Sequence, residues 1–319
     1  MVESMSTVAF IFPGQGSQTV GMGKNLKDNF KEAKETFEEA DEALGFKISS
    51  LCFEGPESEL NLTANTQPAI FTVSVAALRV LEARMGIEPD YLAGHSLGEY
   101  SALIAAKAIS LTDGVKTIQK RGQFMQEAVP EGEGGMAAIL GLERDEVEET
   151  CQKASFDGEE VTPANFNCPG QIVISGHTKA LNRALSLAKE MGARKTVVLP
   201  VSAPFHSAMM VPAAQRLREY LNNIPINPLS HPVVSNVEAR GNQESNRVRG
   251  LLIEQMTHTV LWEDSVRFMM ERGVDVFIET GPGRVLSGLV KRISKTASIF
   301  NMEDTKGLER LEKAWKEIA

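Results

Sequence analysis

Short unbroken apolar runs alternate along this chain with longer stretches whose apolar residues recur every three to four positions. The first run, over 7–12, stops at Pro13-Gly14-Gln15-Gly16, the pattern of a buried strand ending in a turn. A charged amphipathic helix is predicted over 24–44, and a second, apolar almost all round and therefore buried, over 67–85. A short strand over 89–94 runs straight into a helix over 97–108. A further helix over 111–128 carries an apolar stripe of Leu111, Val115, Ile118, Met125 and Val129.

The middle of the chain changes character after the linker-like Pro130-Glu131-Gly132-Glu133-Gly134. Strand 136–140, helix 144–154, strands 161–166 and 171–175, helix 179–191 and strand 195–199 follow. That β-α-β-β-α-β order is the ferredoxin-like pattern, a unit that closes on itself. We therefore expect a small subdomain over 132–199, inserted into a larger one built from 1–131 and 200–319. In the second half of the larger unit, helices are expected over 207–221, 247–256 and 263–272, with strands over 233–237 and 274–278. The last strand runs into Gly281-Pro282-Gly283, then a helix to about 293 and a final helix near the C-terminus. Strands alternating with helices imply an α/β fold with a mostly parallel, helix-covered sheet.

Composition narrows the function classes. The 319 residues, 42% of them hydrophobic, are ample for a large core, and a formal net charge of −9 argues against nucleic acid or an anionic membrane as main partner. The three cysteines, Cys52, Cys151 and Cys168, lack CxxC spacing and suit a reducing compartment. No apolar run is long enough to span a bilayer, and Glu3 stands where a signal peptide would be basic. A cytoplasmic protein is expected.

The sharpest chemical signal is Gly94-His95-Ser96-Leu97-Gly98, a G-x-S-x-G where strand gives way to helix. Such a turn lifts the serine clear of the sheet, and the helix starting there aims unpaired N–H groups at developing negative charge. Leu97 N–H is the natural first oxyanion donor; the bland alternative is an ordinary serine N-cap. A serine needs a base. Among five histidines, His206 alone falls between a strand and a helix where the chain re-enters the larger unit. An ordinary imidazole there predicts a rate rising as it loses its proton. No good third member appears, since Asp113 opens a helix and Glu99 and Glu127 lie on helices. Gln15 could add a second oxyanion N–H. Arg121, beside the apolar stripe of its helix, is either a surface arginine or a bidentate receptor for a substrate carboxylate.

Six collinear motifs carry a resemblance across nearly the whole chain. They are Phe12-Pro13-Gly14-Gln15-Gly16-Ser17-Gln18, Gly94-His95-Ser96-Leu97-Gly98-Glu99-Tyr100, Gln123-Phe124-Met125 after Arg121, Asn165-Phe166-Asn167-Cys168-Pro169-Gly170-Gln171, Pro204-Phe205-His206 and Gly281-Pro282-Gly283-Arg284-Val285-Leu286. Together they resemble the malonyl-CoA:acyl carrier protein transacylases. The resemblance implies an α/β-hydrolase-like core with a ferredoxin-like insert, Ser96 as acylated nucleophile and His206 as base. It implies Gln15 and Leu97 as oxyanion donors, Arg121 as holder of the malonyl carboxylate and Asn167 in the acyl pocket. It also implies the Gln255 main-chain carbonyl as the group orienting His206.

The implied reaction takes malonyl-CoA as substrate, delivers its acyl group to acyl carrier protein for fatty-acid synthesis, and uses no metal or tightly bound organic cofactor. Rivals left open are another acyl group, polyketide supply, hydrolysis, and a silent carrier-binding module. Because carrier proteins are acidic, a locally basic surface is expected. Arg284, Lys291 and Lys295 share one face of the helix after Gly283 by their spacing, and Arg194 with Lys195 is the second candidate. The resemblance begins near Thr7, so Met5 is an expected start beside Met1.

Overall fold

The computed structural model describes residues 6–201 and 203–318; Met1, Met5 and Ser202 lie outside the described residues. Among the described residues ten strands form two sheets. The larger holds β1 (Thr7–Phe12), β2 (Tyr91–Gly94), β7 (Val233–Val234), β8 (Gly241–Asn242), β9 (Val274–Thr280) and β10 (Ser298–Met302), in the order β10-β9-β1-β2-β7-β8. Only the β7–β8 pair is antiparallel. The central strand explains why the first apolar run has no polar alternation. Val8, Phe10 and Phe12 enter the core on one face while Ala9 and Ile11 enter the core on the other. Helices covering both faces leave such a strand no wet side. The helix Thr63–Met85 is buried along most of its length and forms much of the first core. Each large side chain so buried contributes about 1.5–3 kcal/mol.

The smaller sheet is antiparallel throughout, with β3 (Gly134–Leu140), β4 (Val161–Cys168), β5 (Gln171–His177) and β6 (Lys195–Val198) in the order β4-β5-β3-β6. Two amphipathic helices, Arg144–Ala154 and Thr178–Glu190, pack on it around a separate apolar core. This sheet is tied to the larger unit by main chain. Phe166 N–H donates to the Val260 carbonyl at 3.0 Å, and Val260 N–H to the Ala164 carbonyl at 2.8 Å. Val260 lies just beyond the helix Ser245–Gln255, so the same short segment fixes both β4 and Gln255.

Several elements differ from expectation. The predicted helix 24–44 is two helices, Lys24–Asn29 and Lys31–Leu44, broken at Phe30, whose extended backbone (φ −133°, ψ 130°) interrupts the ladder. Short helices Ile48–Glu54 and Glu57–Leu60 were not expected, and neither was edge strand β10. The strand expected over 233–237 is only Val233–Val234, because the chain turns immediately afterwards. Among the described residues no helix is long and apolar enough to cross a membrane.

Two glycines give opposite tests of this packing. A Cβ on Gly94 would lie 1.9 Å from the Gly98 carbonyl carbon, whereas one on exposed Gly250, inside a helix, meets nothing within 4 Å. Gly94→Ala is expected to lower the melting temperature and abolish Ser96 reactivity. Gly250→Ala is expected to stabilise by about 0.5–1 kcal/mol. Thermal unfolding of both variants checks the pair.

Candidate active site

Ser96 sits where β2 ends and the helix Gly98–Ala105 begins, in the left-handed region at φ 52°. A non-glycine residue held there stores about 1–3 kcal/mol of strain, so the surroundings must over-determine it. They do so in two ways. A Cβ on Gly98 would come within 2.2 Å of the Phe12 carbonyl oxygen, so glycine lets the helix start directly on the end of β1. Asn236, just after β7, grips both sides of the turn. Its Oδ1 accepts from Ser96 N–H at 2.7 Å and its Nδ2 donates to the Gly94 carbonyl at 2.7 Å.

His206, also left-handed at φ 58° and 4% exposed, meets the serine at 2.8 Å between Nε2 and Oγ. Its Nδ1 lies 2.7 Å from the Gln255 main-chain oxygen. A carbonyl only accepts, so Nδ1 carries the proton and the Nε2 lone pair faces the serine hydroxyl. Burial pushes the imidazole down to about 3, Arg121's charge pushes the same way, and the Gln255 carbonyl opposes them. The expected rise in rate through an ordinary histidine pKa is therefore displaced far to the acid side. Above that point the base is already neutral.

Arg121 is 1% exposed, and among the described residues its hydrogen-bond partners include no carboxylate. Nη1 donates to Gln67 Oε1 at 2.7 Å; Nη2 donates to Gln255 Oε1 at 2.9 Å and to Ser96 Oγ at 3.0 Å. Nε is buried without a hydrogen-bond partner. The serine hydroxyl thus donates to His206 and accepts from Arg121, which fixes its direction. Burial lowers the guanidinium's pKa, opposed by Tyr100 and Glu99. A cation caged by neutral oxygens is electrostatically unfinished, and an arriving carboxylate would complete it.

A cleft of about 540 Å³ opens over Ser96 between the two sheets, walled by Gln15, Leu97 and His206 on one side and Met136, Asn165 and Leu199 on the other. Leu97 N–H, at a helix start, has no acceptor one turn back. Gln15 is brought beside the elbow because a Cβ on Gly14 would fall 2.5 Å from the His95 carbonyl oxygen. The geometry thus gathers Ser96, His206, Gln255, Arg121, Gln15 and Leu97. Asn167 is the exception. Expected in the acyl pocket, it is 8% exposed and its Oδ1 accepts from His95 Nε2 at 2.8 Å. The strand register shifts between Phe166 and Cys168, and it is Asn165 that lines the cleft.

Of the basic candidates, Arg284, Lys291 and Lys295 line one groove of about 550 Å³. Only Lys291 lies within the helix Val285–Ile293, so the expected shared helix face is replaced by a groove to which the two flanking loops contribute. Arg284 Nε is tied to Glu303 at 2.8 Å. Arg194 and Lys195 are exposed where β6 begins. The turn between β4 and β5 bridges the two sites: Gly141 abuts Arg194 and bonds Gly170, and Arg292 donates to the Pro169 carbonyl at 2.9 Å.

Sequence reasoning missed Gln67, Asn236 and the side chain of Gln255, and it set Glu99 aside as a triad acid without finding its place beside Gln255. Gln255 Nε2 donates to Glu99 Oε2 at 2.8 Å and to the Ser96 carbonyl at 3.0 Å. No local motif announces Gln67, Asn236 or Gln255, which come from distant parts of the chain, whereas Glu99 lies within the motif of Ser96 itself. His177, His231 and His258 engage local groups outside the cleft. Among the described residues no cluster of three His, Cys, Asp or Glu side chains could hold a metal ion. Labelling of Ser96 by an uncharged fluorophosphonate should show no histidine-type rise between about pH 5 and 7, since the base pKa is about 3. His206→Ala should slow that labelling by roughly 10²–10⁴-fold. A sigmoidal rise centred near the ordinary imidazole value would refute the buried, neutral base.

Comparison with known proteins agrees with this geometry. An acyl transferase domain model matches residues 9–313. A malonyl CoA-acyl carrier protein transacylase of Bacillus subtilis (strain 168) is 50% identical over 305 residues, covering 96% of each chain. The solved malonyl CoA-acyl carrier protein transacylase of Coxiella burnetii superposes with a TM-score of 0.95 at 43% identity, covering 97% of this chain and 98% of that one. A malonyl-transacylase solved in complex with its type II polyketide acyl carrier protein gives a TM-score of 0.94 at 42% identity, covering 97% of this chain and 100% of that one. The chain belongs to the acyl transferase family of malonyl CoA-acyl carrier protein transacylases.

Proposed function

We propose that the protein moves a malonyl group from malonyl-CoA to the phosphopantetheine thiol of acyl carrier protein, through an ester on Ser96. The observation that carries the acyl assignment is the carboxylate-free cage around Arg121, 3.0 Å from the nucleophile. So short a distance favours a carboxylate close to the reacting carbonyl, as in a three-carbon diacid. His206 takes the Ser96 proton as Oγ attacks the thioester carbon. The oxyanion is held by the N–H groups of Leu97 and Gln15. The carbon–sulfur bond breaks, and His206 returns the proton to the coenzyme A thiolate. The carrier's thiol then gives its proton to His206, attacks the ester and regenerates the serine.

Every step uses groups of the chain and its two substrates, so the scheme requires no metal or bound organic cofactor, and the coenzyme A thioester is a substrate. We take 132–199 as the subdomain that walls the cleft and 1–131 with 200–319 as the catalytic unit. Supply of fatty-acid synthesis in the cytoplasm fits three buried, unpaired cysteines. The acidic carrier is assigned to the groove of Arg284, Lys291 and Lys295, continued through Arg292 to Arg194 and Lys195. It meets a local basic surface on a chain of net charge −9.

Intact mass after mixing with malonyl-CoA should show one added malonyl group, absent in Ser96→Ala. Arg121→Ala should cut malonyl transfer by roughly ten- to a hundredfold while leaving acetyl transfer equal or improved. Arg121→Lys should rescue only in part, because an ammonium lacks the guanidinium fork. Equal losses with both thioesters would remove the carboxylate assignment. For docking, Lys291→Glu with Lys295→Glu should raise the carrier-protein KM and leave self-acylation by malonyl-CoA unchanged. Steady-state kinetics at low salt measures this, and an unaltered carrier KM would move docking elsewhere.

A further inference from the structure

Glu99 is a carboxylate that the transfer scheme does not use, yet it lies one amide away from the substrate's receptor. It is 3% exposed, and its Oε2 accepts from Gln255 Nε2 at 2.8 Å and from Asn236 N–H at 3.1 Å. The other end of the same Gln255 amide, Oε1, accepts from Arg121 Nη2 at 2.9 Å. Carboxylate, amide and guanidinium therefore form one chain, with the two charges at its ends.

The other groups facing Glu99 do not change that balance. From its own helix comes Tyr100, whose phenol burial pushes up and keeps neutral. Across Gln255 lies His206, neutral for the reasons given above. Val233, Ser235, Asn242, Val248 and Leu251 close the remaining side around a small cavity, and none carries charge. Among the described residues Arg121 is the one cation acting on the Glu99 carboxyl.

A substrate carboxylate at Arg121 upsets this arrangement. The buried unit then holds one guanidinium and two carboxylates. Like charges sharing a low-dielectric site cannot both persist cheaply, and the less well solvated one gains a proton. The substrate carboxylate gains the direct guanidinium fork, whereas Glu99 keeps only its two neutral donors. We infer that Glu99 is the counter-ion of Arg121 in the empty site and takes up one proton from solvent when the malonyl carboxylate binds, so that malonyl selectivity is proton-linked.

Geometry permits the change without rearrangement. A protonated carboxyl keeps one oxygen as acceptor, so Gln255 Nε2 and Asn236 N–H retain their partner and the amide keeps its Oε1 toward Arg121. The proton returns to solvent when the malonyl group leaves on the acceptor thiol. In the empty site burial already raises the Glu99 carboxyl to about 7, opposed by its hydrogen bonds and by Arg121, so the transition falls in an accessible window. The sign follows from linkage. The bound state holds the extra proton, so high pH disfavours malonyl binding and leaves acetyl binding untouched.

The inference rests on the malonyl reading of the site, and the test separates the two. The measured quantity is the ratio of kcat/KM for malonyl-CoA to that for acetyl-CoA in single-turnover acylation, from pH 6 to 9. The ratio cancels every step the two thioesters share, and His206, neutral throughout this range, adds no pH dependence of its own. In the wild type it should be level at the acid end, then fall by about tenfold per pH unit above roughly pH 7, one proton's worth. Glu99→Gln keeps an acceptor oxygen and loses the charge, so its ratio should be flat. A wild-type ratio that is large but independent of pH overturns the inference and leaves the malonyl reading standing. A ratio near one at every pH overturns both. Should Glu99→Gln fail to fold, an indicator dye in weak buffer gives the answer on the wild type. Malonylation should take up close to one proton more than acetylation at about pH 8. Equal uptake with the two acyl groups also overturns the proposal.

Discussion

A guanidinium sealed at 1% exposure without a carboxylate in contact is the feature on which the rest of this site depends. Removing an ion from water carries an effective penalty of several kcal/mol, and neutral amide oxygens return only part of it. The fold meets that penalty by fixing Gln67 and Gln255 at hydrogen-bond distance and by keeping Glu99 one amide away. A direct ion pair would have been cheaper for stability. It would also have filled the place a substrate carboxylate must take. The same charge acts on the nucleophile, because its Nη2 hydrogen-bonds Ser96 Oγ and stabilises the oxygen as it loses its proton.

Much of this chemistry was legible because its signals are local. A G-x-S-x-G between strand and helix needs only neighbouring residues to define it, and Gly94 and Gly98 are required because a Cβ on either would fall within 1.9 or 2.2 Å of neighbouring backbone. The parallel sheet and the antiparallel insert were visible in the order of apolar runs. Short elements were not. The helices Ile48–Glu54 and Glu57–Leu60 are too brief to show a period, and β10 is half-buried at the sheet edge and lacks the apolar density of β1. A helix over 24–44 was over-extended because its periodicity runs through Phe30 while the backbone there does not.

The polar partners were illegible for a different reason. Glu99 and Gln255 are 156 residues apart, and Ser96 and Asn236 are separated by 140. The apolar helix around Glu99 signals burial, but nothing in it says which distant groups the carboxylate, 3% exposed beneath the nucleophile, will meet. Asn167 failed in the opposite direction. Its place in a motif suggested the acyl pocket, but a shift of strand register turns it to His95 and leaves Asn165 at the cleft. Motifs identify which residues matter, and register decides what each of them touches.

The absence of a carboxylate behind His206 follows from the same electrostatics. An acid at the position of the Gln255 carbonyl would orient the imidazole equally well and would stabilise the imidazolium formed during attack. It would also stand near Arg121, whose charge is already felt by His206, and would compete with the substrate for that guanidinium. A main-chain carbonyl fixes the tautomer through one 2.7 Å hydrogen bond and adds no net charge. The cost is a weaker base, since burial and Arg121 hold the imidazole at about 3. A thioester is an activated acyl donor and tolerates a weaker base than an amide does. The arriving malonyl carboxylate also neutralises the charge that depresses His206, so the base should strengthen when the correct substrate is in place. Selectivity for a charged acyl group and readiness of the base are in this way set by one residue.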